Sequence, residues 1–316
     1  MSNLETTPDL TVCRAPADHQ VAELFAPRDV PLGGIRGIHV ERMLPQRELP
    51  TVGAWCFLDS FGPHREPMRV LPHPHIGLQT VTWPLAGEIR HRDSLGSDVV
   101  LRPGQLNLMT GGRGVAHSEF SPDDGTVLSG LQLWLALPAD RAGTAPAFEQ
   151  HLELPRFGRD GLTATVFVGS LGDAVSPATV HTPLVGADLE ISGGAVARIP
   201  LRPEFEHALL AVEGSPVVAG VEVPRGRLLY LGTGRTELPV LAREPVRAVL
   251  LGGEPFPDEL VMWWNFVGRD HEEIAAARAD WEAGDSRFGL VPGHGGERVP
   301  APPLPNARLT PRRRQG

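Results

Sequence analysis

Apolar residues in this chain come in short runs cut by turn residues, and helical spacing is almost absent. In the first half the runs fall at positions 53–58, 77–83, 98–101, 106–109 and 131–137, with breaks at Pro63, Gly87, Gly96, Pro103-Gly104 and Gly111-Gly112. Strands recurring every ~8–15 residues between such turns predict an antiparallel sandwich or barrel. Positions 138–160, which carry Pro138, Pro146 and Pro155, read as a connector. Strand patterns then resume at 163–168, 208–212, 216–223, 227–231 and 247–251. One helix is predicted near the end: Asp270 caps it with Glu273 three residues on, Ile274, Ala277 and Trp281 share a face, and Gly284 stops it. Beyond position 292 the chain is rich in proline and has no period, so it should run extended over the surface or be disordered.

The two halves echo each other. Shifted by 122 positions, Gly104 meets Gly226, Leu106 meets Leu228, Gly112 meets Gly234 and Arg113 meets Arg235. Leu85-Ala86-Gly87 precedes one copy much as Val212-Glu213-Gly214 precedes the other. A recurrence half a chain away predicts a duplicated β-domain.

Composition narrows the chemistry. The chain has 316 residues, 36 glycines and 32 prolines, and all 29 of its Lys and Arg positions are arginine. Without lysine there can be no Schiff-base nucleophile, no P-loop phosphate ligand and no lysine general base. A formal net charge of −9 argues against direct binding to nucleic acid or an anionic membrane, and Arg312, Arg313 and Arg314 are too few to form a binding arm. Cys13 and Cys56 cannot build a disulfide framework or a four-thiolate zinc site. With no apolar leader in the first twenty residues and no long apolar run, a soluble cytoplasmic protein is expected.

Two paired motifs stand out among the twelve histidines. His73 and His75 sit in Pro72-His73-Pro74-His75 at the opening of the run 76–83, where alternate side chains share a strand face. His117 and Glu119 repeat that i, i+2 spacing behind Gly112 and Gly114. Pointed into one barrel, the pairs offer three imidazoles and a carboxylate with room for two more ligands. That set suits Fe(II), with Mn, Co, Ni or Cu as substitutes. His91 reads as an outer neighbour of the site or, more simply, as a turn histidine bonded to its own loop, and His64, His151, His207 and His271 as surface or core residues. Leu78, Val81, Trp83, Leu108 and Met109 are candidates to line a pocket, with packing in the core as the simpler role for each.

The stretches HPHPHIGLQTVTWPLAGEIRHRDSLGSD, LRPGQLNLMTGGRGVAHSE, GLQLWLALP and LLGGEPFPDELVMWWNFVGRDHEEI, followed by RVPAPPLP, closely resemble the pirin family of cupins. The resemblance implies an all-β bicupin, two double-stranded β-helix domains, with a mononuclear iron site in the first. By motif position the family's ligands fall on His73, His75, His117 and Glu119. The wider cupin motif has glutamate where this chain has Gln79, a position that is not a ligand in pirins. Many pirins carry arginine where Ile76 stands, which predicts a less basic pocket mouth. Carried forward by 122, His117 and Glu119 land on Pro239 and Leu241, so the second cupin should hold no metal.

The expected plan is a metal-bearing cupin over 1–140, a connector over 141–160, a metal-free cupin over 161–290 and a Pro-rich tail over 291–316. The resemblance implies a dioxygenase of the quercetin 2,3-dioxygenase type. In it a small aromatic, enolisable substrate such as a flavonol meets Fe(II), and Glu119 doubles as the proton acceptor. The alternative is a redox-sensing regulatory module in which the metal's oxidation state governs a protein partner.

Overall fold

A computed structural model describes residues 11–13, 19–32 and 38–310; the arginine cluster at 312–314 lies outside them. Among the described residues, strands are joined by tight turns and the helix His271–Ala283 stands near the end. No helix is long and apolar enough to cross a membrane.

The predicted duplication is visible in the sheets. In the first half a large sheet runs in the order Ala147–His151, Leu106–Thr110, Leu78–Ala86, Leu128–Ala136, Trp55–His64, Ile38–Leu44 and Arg28–Leu32. The four strands Arg69–His75, Val115–Phe120, Ile89–Asp93 and Asp98–Leu101 form the sheet that closes the first barrel. The second half repeats the scheme: Leu228–Gly232, Glu206–Glu213, Val246–Gly253 and Leu184–Ile191 adjoin in the same relative order. Val196–Pro200 pairs with Glu237–Leu241 as Arg69–His75 pairs with Val115–Phe120. Gly104 and Gly226 adopt φ of +81° and +74° at the duplicated turn, a conformation that costs a residue with a Cβ about 1–2 kcal/mol. This is a double-stranded β-helix built twice. Strand Gln20–Phe25 adds to the second half's large sheet beside Leu228–Gly232.

The two large sheets face each other across a shared core that includes Trp55, Phe57, Val81, Trp83, Leu133, Phe167, Tyr230 and Leu251. Polar contacts pin the halves together. Trp55 Nε1 donates to the carbonyls of Val185 and Gly252, both at 3.2 Å. Trp83 Nε1 donates to Asp188 Oδ2 at 2.9 Å, and Gly53 N to Glu206 Oε2 at 2.6 Å. The second barrel is filled by aliphatic side chains such as Val166, Leu189, Ile199, Leu209 and Leu250. Pro239 and Leu241 lie on its strand Glu237–Leu241, at the places where the first barrel carries His117 and Glu119.

The C-terminal segment folds back on the first barrel. The hairpin of Leu260–Trp263 and Phe266–Gly268 touches it through an Ile76–Phe266 bridge, and Val267 N donates to the Ile76 carbonyl at 3.2 Å. The helix is capped as expected: Asp270 Oδ1 accepts from Glu273 N at 2.9 Å, and Gly284 closes it at φ +70°. Glu273 reaches back to Arg269 N, one residue beyond the cap itself. The coil after the helix straps the four-stranded sheet, with Val299 N bonded to the Pro72 carbonyl at 2.8 Å and Arg287 Nε to the Arg113 carbonyl at 2.6 Å.

Candidate metal centre

The HPHPH segment ends a strand instead of opening one. His73 and His75 close Arg69–His75, Gly77 turns the chain at φ +68°, and Leu78–Ala86 follows. The i, i+2 argument survives because it needs only a strand. In the antiparallel pairing His117 sits opposite His73 and Val115 opposite His75, but Glu119 sits opposite Val70. That register shift marks a bulge, which re-aims the chain between His117 and Glu119. His73, His75, His117 and Glu119 are all buried. The three imidazole rings gather with centroids 4.3 to 5.0 Å apart.

The contacts of the three rings fix where their protons sit. His73 Nδ1 lies 2.8 Å from the Leu71 carbonyl and His75 Nδ1 lies 3.1 Å from the Asn265 carbonyl. A carbonyl only accepts, so both Nδ1 atoms carry the proton and both Nε2 atoms present lone pairs. His73 Nε2 is buried and has no hydrogen-bond partner. His75 Nε2 and His117 Nε2 face each other at 3.1 Å. Burial pushes the His73 imidazole down to about 4 and holds His75 and His117 well below the usual range, so these rings stay neutral near pH 7. Neutral, convergent imidazole nitrogens with lone pairs to offer are donors of the kind transition metals take up.

Ligand atoms of His73, His75 and His117 lie within 4.8 Å of one another, and so do those of His91, His117 and Glu119. His117 is common to both groups, so it links His73 and His75 on one side to His91 and Glu119 on the other. Glu119 Oε1 accepts from Thr82 Oγ1 at 3.0 Å.

His91 is not a turn residue. It lies on strand Ile89–Asp93, opposite Glu119, buried against His117 and stacked on Phe148 at 4.4 Å between centroids. The pocket-lining expectation also changes. Leu78, Val81, Trp83 and Leu108 belong to the core between the large sheets. The opposite face of those strands looks at the cluster: Asn107, Thr82, Gln132, Asp59 and Arg42 are successive cross-strand partners and all are buried. Thr82 also bonds Gln132 at 3.2 Å, and Arg42 clasps Asp59 through two bonds of 2.7 and 2.8 Å. Met109 shares the Asn107 face by alternation, and Trp134 meets His75 edge-on at 5.3 Å. The T-V-T-W alternation at 80–83 was the available signal for this polar face.

Ile76 does not line a pocket mouth; it is buried in the cluster around Trp263, Phe266 and the C-terminal helix. Gln79 bonds Thr110 Oγ1 and the Thr179 carbonyl, both at 2.9 Å, away from the cluster. Burial pushes the Cys56 thiol up to about 12, which leaves no thiolate nucleophile there.

Comparison with known proteins agrees with this picture. The family described as Pirin matches residues 37–135, and the Pirin C-terminal cupin domain matches residues 186–289. A provisionally named quercetin 2,3-dioxygenase of Pseudomonas aeruginosa is 45% identical over 311 residues, covering 96% of this chain and 98% of that protein. A pirin-like protein of Caulobacter vibrioides is 36% identical over 275 residues, covering 83% of this chain and 94% of its own length. The crystal structure of a quercetin 2,3-dioxygenase from Acinetobacter baumannii, 42% identical, superposes with a TM-score of 0.86 over 92% of this chain and 98% of that one.

Proposed function

The chain belongs to the pirin family of cupins, and on that premise we propose that it is a mononuclear non-haem iron dioxygenase of the quercetin 2,3-dioxygenase type. Its substrate class is a flavonol or a similar enolisable aromatic. The observation that carries this reading is the convergence of three buried, neutral imidazole Nε2 atoms beside Glu119. His73, His75, His117 and Glu119 would hold the metal; the donor set fits Fe(II), and Mn, Co, Ni or Cu would fit the same atoms. Iron bound there would act as a Lewis acid toward the enolate oxygen and relay electrons from the enolate to O₂.

The protein's own part is positioning and proton transfer. The Leu71 and Asn265 carbonyls hold two of the rings by their Nδ1 protons, so Nε2 is the atom presented. Glu119 would accept the 3-hydroxyl proton of a flavonol, its orientation held by Thr82, which donates to Oε1 at 3.0 Å. With no lysine in the chain, no lysine Schiff-base route competes, and burial keeps the Cys56 thiol protonated. The aliphatic filling of the second barrel leaves it as scaffold.

The test is oxygen consumption by the Fe(II)-loaded protein under reducing conditions across a panel of flavonols and enolisable diketones. Uptake of O₂ matched by loss of the flavonol absorbance is expected. No consumption with any of them would sink the dioxygenase reading.

One contact favours a regulatory reading as well. The Asn265 carbonyl on His75 ties the cluster to the C-terminal hairpin and, through it, to the exterior strap. A change of metal charge would then be felt at the surface, where a protein partner could sense it. A partner bound in one oxidation state and indifferent to flavonol would establish that role.

A further inference from the structure

His117 differs from the other two histidines in what stands behind it. The Nδ1 protons of His73 and His75 go to main-chain carbonyls. His117 Nδ1 instead lies 3.4 Å from His91 Nδ1, and His91 Nε2 lies 3.0 Å from Asp93 Oδ2. Asp93 is fully buried, and its other oxygen accepts from Leu95 N and Ser97 N, each at 2.9 Å. With three N–H groups around it, this carboxylate is satisfied and fixed. The Phe148 ring stacks on His91 with centroids 4.4 Å apart and makes none of these hydrogen bonds.

With His91 neutral, these contacts admit one proton arrangement. A carboxylate acceptor places the His91 proton on Nε2, which leaves His91 Nδ1 as an acceptor. His117 must then donate from Nδ1, and its Nε2 is free to face His75 Nε2. A carboxylate passed through one imidazole to a second raises the basicity of the last nitrogen more than a lone carbonyl does.

We propose that Asp93 and His91 are positioning residues that set the tautomer of His117 and make it the strongest nitrogen donor of the centre. The inference rests on the metal reading above and adds an unequal ligand set to it. Reversing the chain reverses the outcome. In Asp93→Asn the side-chain oxygen can still serve Leu95 N and Ser97 N, but the amide now donates to His91 Nε2. His91 Nδ1 then carries the proton, and His117 must move its own proton to Nε2, the atom needed for metal. His91→Phe keeps the stack on Phe148 and removes the acceptor outright.

Cobalt(II) is the probe, with affinity measured by competition against a chromophoric chelator and the ligand-field spectrum recorded on the same samples. Second-sphere changes of this kind typically cost about 10–100-fold in metal affinity. Asp93→Asn and His91→Phe should both fall in that range with altered spectra, while Phe148→Leu, which touches only the stack, stays close to wild type. The conservative Asp93→Asn carries the test should His91→Phe fail to fold. Wild-type affinity and an unchanged spectrum in folded Asp93→Asn would overturn the inference alone. A wild-type protein that takes up no cobalt(II) would remove the metal reading and this inference together.

Discussion

The main-chain carbonyl of Asn265 lies 3.1 Å from Nδ1 of His75, so a hairpin 190 residues downstream holds a ring of the histidine cluster. Trp264, beside it in that turn, has φ +54°, a conformation that L-residues seldom adopt. The approach is close because Gly77 has no Cβ: one built there would stand 2.0 Å from the Val267 carbonyl oxygen, at a φ of +68°. Gly77→Ala therefore combines backbone strain of about 1–2 kcal/mol with overpacking of about 1–3 kcal/mol. The variant should be destabilised by about 2–5 kcal/mol in denaturant unfolding and should lose metal when purified. Wild-type stability would mean the hairpin is not seated on His75 as described.

Thr82→Val replaces the hydroxyl that donates to Glu119 with a methyl group of equal size. Loss of a hydrogen bond to a charged group costs about 1.5–3 kcal/mol. If that stabilisation orients Glu119 for proton transfer, turnover should fall by about 10–100-fold while metal content stays near wild type. Steady-state kinetics beside elemental analysis separates the two effects. Equal loss of metal and turnover would instead make Thr82 a support for binding.

Asp188 receives the Trp83 indole proton at 2.9 Å and the Arg247 guanidinium at 2.6 Å, so it ties the first barrel to the second. Asp188→Ala leaves both donors without their acceptor in a mostly buried place. A loss of about 2–3 kcal/mol is expected. Calorimetry should show a lower midpoint, and the transition should broaden as the halves uncouple. An unchanged midpoint would show that the apolar core between the sheets suffices by itself.

Acid should weaken the metal-free fold. Burial holds His73 and His207 down to about 4, against an ordinary value of 6.5. Between those values the unfolded chain binds protons that the folded chain refuses. Stability is thus fully present above about 6.5 and is lost as the pH falls toward 4. Each histidine contributes a slope of about 1.4 kcal/mol per pH unit within that window. Urea titrations of the metal-free protein at several pH values would measure it, and a flat profile from pH 7 to 5 would contradict the assignment of these rings as buried and neutral.

What could be read in the sequence was local. H-x-H and H-x-E are strand-spaced pairs, the capped helix follows from Asp270 and Gly284, and the repeated turn follows from Gly104 and Gly226. What stayed hidden depends on register. His91 reaches His117 because strand Ile89–Asp93 lies beside Val115–Phe120, and no spacing within either strand states that pairing. The Asn265 contact is made by a main-chain oxygen, which any residue would supply. The polar face of Thr82 and Gln132 was half visible: alternation separates two faces, but both are buried here, so the pattern does not say which one meets the metal. Ile76 was misplaced for the same reason, because its burial comes from a C-terminal hairpin far along the chain.

The central claim is that His73, His75, His117 and Glu119 hold one metal ion, and His117 is the residue shared by both halves of that cluster. Elemental analysis of purified wild type and His117→Ala tests it most directly. A single equivalent of metal per chain in the wild type, falling below about a tenth of that in a folded His117→Ala protein, is the expected result, since losing a ligand costs more than the ~10–100-fold of losing an outer hydrogen-bond partner. Full metal stoichiometry retained by His117→Ala would contradict the ligand assignment.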